Sequence, residues 1–128
     1  KTMLRLATAD LGQSIRVVDD QYGSLTWTMT LARQMKQLLS SELSGVAHAT
    51  AEGNCTWYAG AKYFLESLGV EHSLEPCSTA EYPAPAHRPA NSILENDFLK
   101  RHNINLMQHW QKDIEGFVAR YRDELIKA

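Results

Sequence analysis

The sequence predicts an α/β fold that is rich in helix and has a small, partly parallel sheet. Two observations carry this prediction: several segments repeat apolar residues at helical spacing, and short segments of β-formers lie between them. At 128 residues the chain is about the size of one domain. We therefore expect a single domain over residues 1–128.

The first 20 residues predict the end of a helix and then a strand. Residues 1–7 are interpreted as the tail of a helix that begins upstream, because three apolar side chains have no core of their own to enter: Met3, Leu4 and Leu6. The helix should end near residues 10–12. A strand is expected over residues 15–20, followed by a loop over residues 21–27.

The next segments predict a strand-helix-strand unit. Apolar residues repeat at helical spacing at Leu31, Met35, Leu38, Leu39 and Leu43. Thr28 or Thr30 is the expected N-cap, and Gly45 lies just beyond the end. Residues 45–50 predict a second strand and residues 52–54 a turn. A helix between two strands favours parallel pairing with a right-handed crossover.

The second half of the chain predicts three helices and one extended segment. Residues 70–92 contain all four prolines, which indicates an extended strand or loop. A short helix should include Leu94, Phe98 and Leu99 and end around residues 103–105. Two longer helices have apolar stripes, one ending at an αL cap on Gly69 and one with Asp113 among its outward polar residues. Their stripes are Trp57, Ala61, Phe64, Leu65 and Leu68, and Trp110, Ile114, Phe117, Val118, Tyr121 and Leu125.

Composition argues against several classes of partner. The formal net charge of −2 lacks the basic excess that binds phosphate backbones, so we expect no nucleic-acid partner. No apolar run approaches the roughly 20 residues of a membrane span, so we expect no membrane contact and a cytoplasmic location. Cys55 and Cys77 are interpreted as two free thiols. The five histidines lack zinc-ligand spacing, so no metal is expected.

The acidic pair Asp19-Asp20 lies at the predicted strand end. Neighbouring strand residues point to opposite faces, so these two carboxylates are not expected to converge on one ion. The favoured interpretation is a strand end at which an Asp caps the following turn.

Three segments occur in an order and at separations that resemble a known family. They are Asp19-Asp20-Gln21-Tyr22-Gly23-Ser24-Leu25-Thr26, then Cys55-Thr56-Trp57-Tyr58, then Arg88-Pro89-Ala90-Asn91-Ser92. Together they resemble the C-terminal, substrate-binding part of dTDP-4-dehydrorhamnose reductases, which are extended short-chain dehydrogenases. The resemblance implies a nucleotide-sugar site that contains Gln21, Gly23, Thr26, Arg88 and Asn91. Asn91 and Ser92 are also expected to shape a turn and to cap the helix that carries Leu94.

The chain departs from the family pattern at two positions. Leu25 stands where the family usually has Pro, and Thr30 stands where it usually has Asp. The first change removes a fixed φ angle, and the second keeps a capping oxygen without its charge. These departures leave open a different nucleotide-sugar reductase or an epimerase. A non-catalytic regulatory relative is a further alternative.

The family resemblance also implies what should lie outside these residues. Reduction of the sugar's C4 keto group would use NADPH bound by an N-terminal Rossmann domain, and the 128 residues contain no glycine-rich dinucleotide turn. We therefore expect a C-terminal fragment that holds no catalytic or cofactor-binding residue. Tyr58 and Lys62 have the Tyr-x-x-x-Lys spacing of short-chain dehydrogenases, but in the family the matching helix has a packing role. Homo-oligomer formation is left open.

Overall fold

A computed structural model describes residues 2–9, 14–82 and 86–127. Within these ranges the fold has five α-helices, four short strands and one 3-10 turn, which confirms the predicted helix-rich α/β class. The elements in chain order are α1 (Thr2–Ala9), β1 (Ile15–Val18), β2 (Tyr22–Gly23), α2 (Thr28–Leu39), β3 (Cys55–Thr56), α3 (Trp57–Leu68), β4 (Leu74–Cys77), the 3-10 turn (Thr79–Glu81), α4 (Asp97–Arg101) and α5 (Trp110–Ile126).

The strands form two small pairs. β1 pairs in parallel with β4, in the register Ile15 to Leu74 and Val18 to Cys77. β2 pairs antiparallel with β3, with Tyr22 opposite Thr56. The expected parallel pairing is therefore present, but with a different partner strand. β1 also ends two residues earlier than predicted, at Val18.

The predicted strand over residues 45–50 is wrong, because this segment has no regular structure. At the end of this segment, side chains rather than a neighbouring strand bind the backbone of Thr50 and of the next residue, Ala51. The Asn96 side chain accepts from the Thr50 N–H at 2.9 Å and donates to the Thr50 carbonyl at 2.8 Å. The Thr26 hydroxyl accepts from the Ala51 N–H at 2.9 Å. These bonds satisfy the donors and acceptors that a sheet ladder would otherwise use.

The main core lies between α1, α3, α5 and the parallel strand pair. The expectation that the first helix has no core to enter is wrong for Leu4, which is buried together with Ala7. Both pack in one cluster with residues of α3 and α5 that include Leu65, Leu68 and Val118. The predicted end of this helix at residues 10–12 lies outside the described residues.

Helix α5 follows its predicted stripe, and α3 follows its own except at Trp57, which is exposed. The Thr56 hydroxyl caps α3 by accepting from the Ala59 N–H, and Gly69 ends the helix at φ 70° in the αL region, as predicted. Trp110 is buried at the start of α5. Asp113 differs from its predicted position: it is 2% exposed and faces α2 rather than solvent.

Helix α2 exists as predicted, but its apolar stripe is only partly covered, with Leu31 and Leu38 half-buried. Met35 is 54% exposed and Leu39 is 86% exposed, whereas Thr30 and Gln34 are buried. The Gln34 side chain binds the Ile104 carbonyl and the Leu106 N–H at 3.0 and 2.6 Å. The polar face is therefore buried because its hydrogen bonds are satisfied there.

The predicted caps of α2 are also wrong. The N-cap residue is Trp27, which supplies no side-chain capping bond, and neither Thr28 nor Thr30 occupies that position. The helix ends at Leu39, six residues before Gly45.

Residues 70–92 are extended where they are described, as predicted. They contain β4 and the 3-10 turn. The short helix is also present, but it begins at Asp97 with Asn96 as N-cap, so Asn91 and Ser92 do not cap it. Asn103 follows its end in the left-handed region at φ 54°.

Both cysteines are free thiols in buried positions, as predicted. Burial raises the pKa of the Cys55 thiol to about 11, although a hydrogen bond from the Leu25 backbone acts in the opposite direction. Among the described helices, none combines the length and apolar character that a membrane crossing requires.

Candidate functional site

A cavity of about 1070 Å³ opens between the end of β1, α3, α5 and the segment after β4. One part of its wall is apolar and aromatic and includes Leu25, Trp27, Phe64 and Phe117. The Trp27 and Phe117 rings meet edge to face, with centroids 6.2 Å apart. Such a surface can hold the flat faces of a base or the apolar face of a sugar ring.

Three of the five predicted site residues line this cavity: Gln21, Thr26 and Arg88. Gln21 is buried, and its amide donates to the Thr79 hydroxyl at 2.9 Å. The Thr26 hydroxyl accepts the Ala51 N–H. Arg88 is exposed, and among the described residues no carboxylate forms an ion pair with it. With respect to these residues, the Arg88 guanidinium is available to bind an anion.

The other two predicted site residues, Gly23 and Asn91, do not line the large cavity. Gly23 lines a second cavity of about 140 Å³ and approaches Ser92, because a Cβ on Gly23 would lie 3.0 Å from the Ser92 hydroxyl. The Asn91 side chain accepts from the Ile93 N–H at 2.9 Å, which shapes the local turn as expected. Their role in binding stays a prediction.

The segment that carries Arg88 is held to β1 on one side and to β2 on the other. Before it, Glu81 forms an ion pair with Arg16 at 2.7 Å, and Arg16 also lines the cavity. After it, the Tyr22 N–H donates to the Ala90 carbonyl at 2.8 Å, and the Ser92 N–H donates to the Tyr22 carbonyl at 2.9 Å. These contacts place His87 and Arg88 along the cavity wall.

The expectation that an Asp caps the turn directly after the strand is wrong, because Asp20 caps a 3-10 turn that is distant in sequence. The Asp20 carboxylate accepts from the Thr79 hydroxyl and the Thr79 N–H at 2.5 and 2.9 Å, at the start of the 3-10 turn. Both bonds hold the pKa of Asp20 below its ordinary value, and the bond from the hydroxyl has the larger effect. Asp19 binds the Thr56 hydroxyl instead. In the part of the chain that the structure describes, no His, Cys, Asp or Glu cluster could hold a metal.

The sequence reasoning missed several residues that line the cavity, among them Trp57 and Asp113. Trp57 was expected in the core, but it is 53% exposed at the first position of α3. Asp113 was assigned to the outer face of α5. Its spacing could have located it, because Asp113 lies three residues after Trp110 and four before Phe117, on the same side of the helix.

The two departures from the family pattern have structural counterparts. The Leu25 side chain fills the space above Gly60, where a Cβ would overlap the Leu25 Cδ1. The Thr30 hydroxyl donates to the Asp113 carboxylate at 2.5 Å. A carboxylate is thus present beside the start of α2, but it comes from α5.

The contacts of Tyr58 and Lys62 are those of residues with a packing role. Tyr58 is partly buried against the main core cluster. The Lys62 ammonium lies 3.9 Å from the Glu66 carboxylate, one turn along α3. Within the described ranges, the Tyr58 hydroxyl takes part in no side-chain hydrogen bond.

This fold and cavity define a small α/β ligand-binding domain. The family model described as the RmlD substrate binding domain matches residues 1–123, and the chain belongs to this family. The similarity extends to curated reductases. A dTDP-4-dehydrorhamnose reductase from Sinorhizobium fredii is 37% identical and covers 92% of this chain. A dTDP-4-keto-6-deoxy-D-glucose reductase from Streptomyces niveus is 32% identical and covers 86%.

A solved structure shares the fold closely. The dTDP-4-dehydrorhamnose reductase from Bacillus anthracis, in complex with NADP, matches with a TM-score of 0.87 at 31% identity over 93% of this chain. The chain spans only 38–43% of the length of these three relatives.

Proposed function

We propose that the chain forms the nucleotide-sugar-binding domain of an NADPH-dependent reductase that reduces the C4 keto group of a dTDP-linked sugar. The cavity that brings Gln21, Thr26 and Arg88 together is the observation that carries this proposal. The reductase names of the relatives support the reaction class.

The cavity suits such a ligand in size and chemistry. Its volume of about 1070 Å³ lies just above the roughly 300–1,000 Å³ of most small-molecule sites. The aromatic wall around Trp27 and Phe117 offers stacking surfaces. The Arg88 guanidinium, which forms no ion pair within the described part of the chain, matches a diphosphate in charge and geometry. We assign Gln21 and Thr26 to the same site, with Gly23 and Asn91 shaping the loops beside it.

The cofactor belongs elsewhere in this proposal. The seven glycines are dispersed and form no Gly-x-Gly-x-x-Gly, so these residues do not fit a dinucleotide pyrophosphate site. NADPH would be bound by a nucleotide-binding domain outside the 128 residues, and we assign no hydride-transfer step to this chain. Residues 1–128 would act as one substrate-binding domain that is inactive alone. The NADP complex of the Bacillus anthracis relative supports this choice of cofactor.

A second candidate is reduction of a different dTDP-4-keto sugar. The name of the Streptomyces niveus relative favours it, because that reductase is assigned dTDP-4-keto-6-deoxy-D-glucose. The substitutions at Leu25 and Thr30 support it further, because Leu25 lies on the cavity wall and Thr30 binds the cavity residue Asp113.

NADPH oxidation by the protein at its natural length tests this function. Turnover is expected with dTDP-4-dehydrorhamnose, and the two candidates are separated by comparing kcat/KM for this sugar and for dTDP-4-keto-6-deoxy-D-glucose. Absence of turnover with both would contradict the reductase assignment.

Calorimetry on the 128-residue chain tests whether the NADPH site lies outside these residues. We expect no measurable NADPH binding. A dissociation constant in the low micromolar range, about 8 kcal/mol of binding free energy, would show that a cofactor site lies within these residues.

A further inference from the structure

Asp113 on α5 forms hydrogen bonds that the packing of this helix alone does not require. It is 2% exposed, and both of its oxygens bind the start of α2. One oxygen accepts from the Thr30 hydroxyl at 2.5 Å, and the other accepts from the Trp27 backbone N–H at 3.1 Å. The residue also lines the large cavity. A buried carboxylate is costly unless it is hydrogen-bonded, so this arrangement is a specific link between the two helices.

The position of these bonds resembles a capping box formed across two helices. In a capping box, a side chain at the third helical position accepts from the N-cap backbone N–H. Here the N-cap is Trp27 and the third position is Thr30, whose hydroxyl cannot supply a carboxylate. Asp113 takes over that acceptor role from α5 and orients the Thr30 hydroxyl with its other oxygen.

The bond to Trp27 has a direct consequence for the cavity. The Trp27 ring lies in a confined place: a Cβ on Gly116 would be 3.1 Å from it, and the Phe117 ring meets it edge to face. Asp113, Gly116 and Phe117 lie on one stretch of α5, so the same stretch fixes both the backbone and the ring of Trp27.

We propose that Asp113 is a positioning residue that holds Trp27 in the orientation in which its ring forms the cavity wall for the nucleotide-sugar. The proposal rests on the function proposed above, because it assigns this wall to the ligand. Asp113 acts through Trp27, so its removal should weaken ligand binding together with a change in the environment of the Trp27 ring.

Two substitutions of Asp113 and one control substitution elsewhere distinguish a loss of Trp27 positioning from a general loss of stability. Asp113→Ala removes both bonds, while Asp113→Asn keeps one acceptor and nearly the same volume. Gln34→Ala is the matched control, because Gln34 is 0% exposed and also loses two hydrogen bonds, but to residues 104 and 106 away from the cavity.

Restoring the carboxylate from α2 provides the rescue. In Thr30→Asp combined with Asp113→Ala, the acid at the third helical position can accept from the Trp27 N–H, as in an ordinary capping box. Rescue by this double variant would not be expected if only the packing of residue 113 mattered.

The readouts are dTDP binding by calorimetry and the 19F NMR spectrum of 5-fluorotryptophan-labelled protein at its natural length. Assignment of the Trp27 resonance comes from Trp27→Phe. We expect Asp113→Ala to shift this resonance and to raise the dTDP dissociation constant about tenfold, which is about 1.4 kcal/mol. For Asp113→Asn, both changes should be smaller than for Asp113→Ala. The double variant should regain the Trp27 resonance and the dTDP affinity of the unsubstituted protein, and Gln34→Ala should change neither.

An unchanged Trp27 resonance in Asp113→Ala, or weakened dTDP binding of equal size in Gln34→Ala, would overturn the proposal. The NMR result does not depend on the ligand. If the unsubstituted protein failed to bind dTDP while Asp113→Ala still shifted the Trp27 resonance, the function proposed above would fail, and with it the assignment of this wall to the nucleotide-sugar.

Discussion

Replacing Arg88 by Ala tests the assignment of the anion-binding group. Arg88 is exposed and has no ion-pair partner among the residues described, so we expect a change in the free energy of unfolding within about 0.5 kcal/mol. A hydrogen bond to a charged group is worth about 1.5–3 kcal/mol. The dTDP dissociation constant should therefore rise by roughly 10- to 150-fold.

Calorimetry with two ligands isolates the diphosphate contribution. The Arg88→Ala protein should lose affinity for dTDP but keep its affinity for thymidine, which has no phosphate. Arg88→Lys should lose less, because it keeps the charge but not the planar fork. Arg33→Ala is the matched control, since Arg33 is an exposed arginine on α2 away from the cavity. Unchanged dTDP affinity, or an equal loss for thymidine, would refute the reasoning.

Three other predictions follow from single side chains. Tyr58→Phe should leave kcat within a few-fold of the unsubstituted enzyme and cost at most about 1 kcal/mol of stability; a loss of about 10²–10⁴ in kcat, as for a general acid, would contradict it. Because the folded pKa of Asp20 is lowered, its contribution to stability is present above roughly pH 4 and is lost as the pH falls through the folded pKa. Thermal unfolding by circular dichroism should show a smaller acid-induced fall in Tm for Asp20→Asn, and equal falls would contradict it. With its pKa raised to about 11, Cys55 should react slowly with iodoacetamide at pH 7.5; mass spectrometry showing modification of Cys55 as fast as of free cysteine would be the opposite result.

Sequence patterns within one segment correctly predicted features that depend on that segment alone. The stripe from Trp110 to Leu125 and the αL cap at Gly69 are present as expected, because periodicity and glycine conformation are properties of the segment itself. The strand predicted over residues 45–50 is absent, and at its end the distant side chains of Asn96 and Thr26 bind the backbone of Thr50 and Ala51. No local pattern contains that information.

The buried face of α2 shows the limit of hydrophobic periodicity. Thr30 and Gln34 are buried because Asp113 and residues 104–106 provide partners, while Met35 and Leu39 are exposed. The partners lie 70 or more residues away in sequence, so the pattern of α2 alone favoured the wrong face.

The candidate site was predicted in part. The family resemblance located Gln21, Thr26 and Arg88, which the fold brings to one cavity. Trp57 was missed because an apolar aromatic on a helical stripe is usually buried, whereas its place at the first turn of α3 exposes it beside the cavity.

A crystal structure of the protein at its natural length with dTDP bound tests the central claim most directly. The account predicts the diphosphate within hydrogen-bonding distance of the Arg88 guanidinium, with the rest of the ligand in the cavity against Trp27. Diphosphate bound elsewhere, with this cavity left to solvent, would contradict the assignment of the nucleotide-sugar site.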